Sequence, residues 1–256
     1  MTLFNRERYI GAAIESVLAQ TFENFELLVV DDGSIDDSFA IAQAYAARDS
    51  RVRVVRNEKN LGDYANRNHA ALLATGTLLK YADSDDLMYP HCLATMVRPL
   101  LAEPRAGFAL SLSHDFAGGP CPMLLTPRMC YQREFLSFSD LFWCGPGCAL
   151  FRRDVFHSLG GFPLCGAASD NLFWLHACAR VNVLALPADL FWYRRHAGQE
   201  IQSDRAAKDY AHVLGEQWRA LQAAECPLTA QEREQARRTV AVRLVRAIVR
   251  DVREDR

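Results

Sequence analysis

Leu78-Leu79-Lys80-Tyr81-Ala82, followed by Asp83-Ser84-Asp85-Asp86, is the stretch on which the reading of this chain turns. Its first five residues read as a buried strand, so the three carboxylates fall on the turn where that strand ends. Acids crowded this closely repel one another in water and add nothing to a core. A cation makes such a cluster favourable. Hard divalent ions such as Mg²⁺ and Mn²⁺ take oxygen ligands, and Mg²⁺ commonly combines one or two carboxylates with substrate phosphates. A D-x-D turn after an apolar strand therefore points to a metal gripping a diphosphate. The plainer reading of the same residues is a turn in which Asp86 caps a helix opening near Leu87-Met88-Tyr89.

A second acidic turn lies upstream in the same context. Glu26-Leu27-Leu28-Val29-Val30 is a short β-rich run that ends in Asp31-Asp32-Gly33-Ser34. Two strands that each deliver paired carboxylates at their ends fit the rule that open α/β sheets bind ligands beyond the carboxyl ends of their strands. Around them, helical spacing over 6–20, 37–47 and 63–74 alternates with strands at 26–30, 52–55 and 78–82. Gly76 reads as the C-cap of the third helix. This alternation predicts an α/β protein with a mostly parallel central sheet flanked by helices. The second half is less regular, with helices expected at 88–102, 137–143, 154–159 and 170–179. Short strands are expected there at 108–113, 149–151, 183–186 and 190–193. Helices over 204–222 and 229–254 form a C-terminal extension, so the domain reading is 1–200 followed by 201–256.

Composition narrows the function. The chain has 256 residues, of which 50% are hydrophobic and 23% charged, as in an ordinary globular protein. A net charge of −2 provides no field to draw it to nucleic acid. Neither a ~20-residue apolar span nor a signal-peptide pattern is visible, which places the chain in the cytosol. Its eight cysteines contain no C-x-x-C pair and read as reduced, small buried residues; a zinc site on Cys144 and Cys148 lacks a second ligand pair. No G-x-G-x-x-G follows a strand and no G-x-x-x-x-G-K-[ST] occurs, which removes dehydrogenase and ATPase readings. On the last helix Ala241, Leu244, Val245, Ile248 and Val252 form an apolar stripe, and Arg243, Arg246, Arg250 and Arg253 line another face. That basic face reads first as solvated. Its second reading is peripheral contact with an anionic membrane, at the inner membrane face.

With both turns placed, residues 3–200 resemble the glycosyltransferase family 2 enzymes of GT-A fold. The parts occur in the family's order: Phe4-Asn5 for the family's Tyr-Asn, Val29-Val30-Asp31-Asp32-Gly33-Ser34, Asn60-Leu61-Gly62, Arg67-Asn68 and Asp83-Ser84-Asp85-Asp86. Gly160-Gly161-Phe162, Ser169-Asp170 and Tyr193-Arg194-Arg195-His196 complete the series. The resemblance implies an inverting transferase acting on a nucleotide-sugar donor, UDP-linked, and a carbohydrate or lipid-linked acceptor. Polysaccharide or lipid-linked glycan synthesis is the setting it implies. On this resemblance Asn5, Asp31, Asp32, Arg67 and Asp83 hold the nucleotide, and Asp85 with His196 holds Mn²⁺ or Mg²⁺. Asp170 is the general base, and Trp143, Gly145, Pro146 and Gly147 form the floor near the donor sugar.

The chain departs from the family at two places. The usual Glu-Asp is here Ser169-Asp170, which bears on acceptor orientation and on the base's pKa. The family's first apolar strand is almost absent before Phe4, so an in-frame upstream segment rich in Val and Ile is expected. These departures keep a catalytically impaired nucleotide-sugar binding protein as a rival. A nucleotidyltransferase is a weaker rival, because no basic Gly-rich loop opens the chain.

Overall fold

Thr2–Leu3 (β1), Leu27–Asp31 (β2) and Val52–Arg56 (β3) pair in parallel, in the order β1-β2-β3, with Thr2 opposite Val30 and Leu27 opposite Val52. The structure, a computed structural model, describes residues 1–112, 120–137, 141–187, 190–196, 199 and 204–254. All five residues of β2 are buried, as expected of a strand covered on both faces. The helices Ile10–Leu18 (α1), Ser38–Ala46 (α2) and Asp63–Leu73 (α3) join these strands. Short as it is, β1 lies between β2 and the acidic turn, to which an isolated parallel bridge from Thr2 to Asp83 connects it. A two-residue strand thus stands at the place of the expected first strand.

The other half of the molecule is a five-stranded sheet. It contains Leu78–Lys80 (β4), Ala106–Ser111 (β6), Met123–Leu125 (β7), Ala149–Arg152 (β8) and Asn182–Leu186 (β9), in the order β4-β8-β6-β9-β7. Only β6 and β9 run parallel here, while β4 with β8, β6 with β8 and β7 with β9 are antiparallel. The mostly parallel pairing expected from the sequence thus holds for the first half, and the second half is mixed. Leu87–Met88 (β5) pairs antiparallel with Phe191–Trp192 (β10) and brings residues near 190 against the acidic turn.

Strand alternation divides the core. Phe108, Leu110, Phe151, Val183 and Ala185 face an aromatic cluster with Phe156, Phe162, Phe173 and Trp174. Their neighbours Ala109, Leu150, Leu184 and Leu186 face Ile10, Ile14 and Met96 on the other side. Helices Cys92–Ala102 (α4), Arg153–Ser158 (α6) and Ser169–Ala177 (α7) lie near their expected positions. Pro127–Leu136 (α5) does not. Its Thr126-Pro127 opening, an N-cap followed by proline at the first helical position, is a start signal in the sequence, and Thr126 Oγ1 accepts from Met129 N at 3.4 Å. The helix expected at 137–143 is instead a turn at Leu141–Phe142, with 138–140 outside the described residues. Helix α3 ends at an extended Ala74, so Gly76 is not its C-cap; Thr75 and Gly76 donate to the Glu26 carboxylate instead.

The C-terminal helices Asp204–Gln222 (α8) and Ala230–Glu254 (α9) enter the same aromatic cluster through Leu221, Ala236 and Val240, and the connection between them through Cys226 and Leu228. Buried Glu134 on α5 accepts from Phe142 N at 3.1 Å and lies 3.9 Å from Arg243. Arg243 is thus turned inward rather than lying on a solvated basic face, and Val245 of the expected apolar stripe is 60% exposed. Arg246, Ile248, Arg250, Val252 and Arg253 have side chains outside the described residues. Among the described residues no helix is long and apolar enough to cross a membrane. All eight cysteines are free.

Candidate active site

The first acidic turn divides its two carboxylates. Asp32, 3% exposed at the end of β2, accepts from Asn57 Nδ2 at 2.7 Å and Leu61 N at 2.9 Å on Oδ1, and from Gly62 N at 2.9 Å on Oδ2. Asn60 Nδ2 donates to the Asp32 carbonyl. A carboxylate with donors on both oxygens fixes the Asn60-Leu61-Gly62 loop that leads into α3. Asp31 goes elsewhere. It is fully buried, accepts from Ser34 N and pairs with Arg56 at 3.3 Å, so it braces the turn behind the cleft. Asn5 is likewise a brace. In the left-handed conformation (φ 51°), its amide donates to Ser34 Oγ and its side chain accepts from Ile35 N.

Beyond the end of β4, the bridge at Asp83 and the turn at Ser84-Asp85 give the two carboxylates different partners. Asp83 pairs with Arg67 Nη2 at 2.8 Å. Burial raises the pKa of its carboxyl, and the charges of Arg67 and Lys80 more than offset this, leaving it below the usual range. Arg67, 8% exposed on α3, also donates from Nε to Asp63 at 2.9 Å and lies over the Tyr64 and Tyr81 rings. Its Nη1 is buried and, among the described residues, has no hydrogen-bond partner. Asp85 Oδ2 receives Arg6 Nε at 2.9 Å and lies 3.1 Å from His196 Nε2. Arg6 was not singled out from the sequence. It lies in a loop whose amides donate to side-chain oxygens of Ser34, Asp36 and Ser38, a tertiary arrangement with no local signature. Asp86 accepts from Arg194 N at 2.9 Å, and burial, with Asp83 and Asp85 nearby, pushes its pKa up to about 7. It caps no helix, because Leu87–Met88 is a strand and α4 starts at Cys92.

Asp170 lies in the first turn of α7, one residue past the helix start, and is 7% exposed. Burial raises its pKa to about 6 against the opposing effects of the Asn171 amide, Arg67 and a hydrogen bond from Tyr64. Ser169, where the family has Glu, is fully buried; it accepts from Cys165 N and donates to Gly166 O. The preceding turn is also held from α8, where Asp209 accepts from Ala167 N at 2.9 Å. Gly166 has φ 72°, and a Cβ there would collide with the Asp209 carboxylate.

These elements enclose one cleft of about 940 Å³. Asp32, Arg67, Asp83, Asp85, Trp143, Gly145 and Asp170 of the expected set line it, together with Arg6 and Tyr64. Pro146 and Gly147 are buried behind the wall in a 3₁₀ turn, where a Cβ on Gly147 would come 3.6 Å from Asp83 Oδ2. Asn5, Asp31 and His196 stand outside the lining, and His196 reaches the site through Asp85. Among the described residues no three His, Cys, Asp or Glu side chains converge as a closed cation cage. An Asp85 carboxylate beside a His196 imidazole nevertheless fits an ion whose other ligands are substrate phosphates and water, as Mg²⁺ and Mn²⁺ sites often are.

The sequence profile described as Glycosyl transferase family 2 matches residues 1–160. GlyG, a glycosyltransferase of Streptococcus pneumoniae serotype 4, is 34% identical over 79% of this chain and 71% of its own length. EpsE of Bacillus subtilis (strain 168), named as a glycosyltransferase, is 39% identical over 38% of this chain, and the match spans about a third (35%) of EpsE. Among solved structures, S. aureus TarS 1-349 in complex with UDP-GlcNAc aligns with a TM-score of 0.69 at 22% identity, covering 92% of this chain and 68% of that one. The mannosyltransferase PcManGT from Pyrobaculum calidifontis, in complex with GDP-Man and Mn²⁺, aligns with a TM-score of 0.66 at 19% identity, covering 97% and 73%.

Proposed function

The chain belongs to glycosyl transferase family 2 and has the GT-A fold, and from that premise we propose that it moves a sugar from a UDP-linked donor to an acceptor hydroxyl with inversion. One observation carries this reading: acids following β2, following β4 and opening α7 all line a single cleft. Asp32 takes the base N–H or a ribose hydroxyl. Its Oδ2 has Gly62 as its one donor among the described residues, which leaves a lone pair for ligand. Arg67 presents the unpartnered Nη1, a donor suited to a phosphate oxygen. Asp85 and His196 hold Mn²⁺ or Mg²⁺, which when bound offsets negative charge on the departing diphosphate. The UDP-GlcNAc complex of the TarS relative and the Mn²⁺ in the PcManGT complex support these assignments by analogy of fold.

Asp170 takes the acceptor proton as the acceptor oxygen bonds to the anomeric carbon. The bond from that carbon to the diphosphate breaks, and its electron pair leaves with UDP. One displacement with one base inverts the centre. A pKa of about 6 makes Asp170 a stronger base than an ordinary carboxylate while leaving it ionised at neutral pH. The acceptor is a carbohydrate or a lipid-linked glycan. The rival binding-only reading predicts UDP-sugar binding without turnover, and the transferase reading is supported by Asp170 lining the same cleft as Asp32 and Asp85. Release of UDP from a panel of UDP-sugars tests the proposal. Asp170→Asn is expected to keep donor binding and to lose ~10²–10⁴ of turnover; undiminished turnover removes Asp170 from the role.

A further inference from the structure

Two large aromatic rings meet in the cleft that Asp170 also lines. The Trp143 and Tyr210 rings stack with centroids 6.0 Å apart and planes 28° from parallel, yet Trp143 keeps 47% of its surface exposed. Both rings line the cleft. They come from segments distant in sequence, and each segment is fastened to the element that carries the base. The carbonyls on either side of Trp143 are both held by α7: Phe142 O accepts from Asn171 Nδ2 at 2.6 Å, and Cys144 O from Trp174 Nε1 at 2.7 Å. Tyr210 follows Asp209, which grips Ala167 N just before α7. The pair is thus registered to Asp170 by three hydrogen bonds that do not involve the rings themselves.

From this geometry we infer that Trp143 and Tyr210 form a stacking platform for a pyranose ring of the acceptor, seating the sugar whose hydroxyl faces Asp170. The inference rests on the transferase reading and deepens it, because it makes the acceptor's recognised part a carbohydrate. An aromatic face carries negative charge density that attracts the partly positive axial C–H bonds of a sugar. Asn171, Gln199 and Asp63 in the same lining provide polar partners for its hydroxyls. An alkyl chain would instead require a continuous apolar groove, whereas the cleft that the pair lines also carries Asp32, Asp63, Asp83 and Asp85.

The test labels the four tryptophans with 5-fluorotryptophan, assigns the Trp143 ¹⁹F signal by Trp143→Phe, and titrates cellobiose, diacetylchitobiose and octanol in separate arms. The Trp143 signal is expected to shift saturably with at least one disaccharide in the wild type. Tyr210→Ala is expected to weaken that response roughly tenfold. A signal unmoved by both disaccharides, or one that answers only to octanol, overturns the inference. A disaccharide response in protein that fails to bind UDP supports the platform and sinks the donor assignment instead.

Discussion

Asp170 is buried where an ordinary carboxylate would prefer water, and this has a measurable consequence in both activity and stability. Its folded pKa, raised to about 6 mainly by burial, exceeds the value of 3.8 for a free side chain. Between these values the native state binds more protons than the unfolded chain, so the contribution of this residue to stability falls as pH rises through the interval. The penalty is complete above about pH 6. Asp170→Asn is therefore expected to be more stable than wild type at pH 8 by roughly 2–3 kcal/mol and to match it near pH 4, as read by urea unfolding at both pH values. As the base must be ionised, kcat/KM is expected to fall on acidification below about pH 6. A flat acid limb, or an Asn variant no more stable at pH 8, contradicts this picture. Residue types made Asp32, Asp85 and Asp170 readable as site candidates from the sequence. They did not separate Asp32 from Asp31, because adjacent strand residues point to opposite faces and only the fold shows which face is the cleft.

At the scale of elements, two loops set the site. The 57–62 loop hangs on the Asp32 carboxylate, which takes three side-chain and backbone donors. Asp32→Ala leaves these donors without their acceptor and is expected to lower both Tm and UDP affinity, the latter at least tenfold, measured by thermal melts and calorimetry. The turn before α7 depends on Gly166 in the left-handed region and on Asp209 of α8. Gly166→Ala places a Cβ against that carboxylate and forces a backbone conformation costing ~1–2 kcal/mol. It is expected to reduce kcat more than donor affinity, since a small displacement of a catalytic group can cost ~10²-fold. Asp209→Ala should move kcat in the same direction with a milder loss of stability; a change confined to donor KM would refute the coupling. Strong periodicity made the first three helices and their strands legible. Helix α5 was missed because its apolar residues follow no clean stripe, although Thr126-Pro127 marked its start.

Over the whole molecule, parallel β1-β2-β3 brings Asp32 to the cleft, and the mixed sheet contributes the acids that follow β4 and supports α7 on its aromatic face. The mixed pairing was not legible because strands of three to six residues, as in β4, β6 and β7, carry too little pattern to reveal their direction. The packing of α8 and α9 into the common core was equally hidden, since a stripe of apolar residues tells that a helix is covered and not by what. What joins the two halves is the acidic turn, tied to β1 by the Thr2–Asp83 bridge, to α3 by Arg67 and to the chain near 196 by Asp85. We propose that these acids and an added cation together grip a nucleoside diphosphate. Calorimetric titration of UDP into the protein with Mn²⁺, with chelator, and into Asp85→Ala with Mn²⁺ tests this directly. Saturable binding in the first case, weakened at least tenfold in the other two, is the predicted result. UDP that fails to bind, or that binds with one affinity in all three, contradicts it.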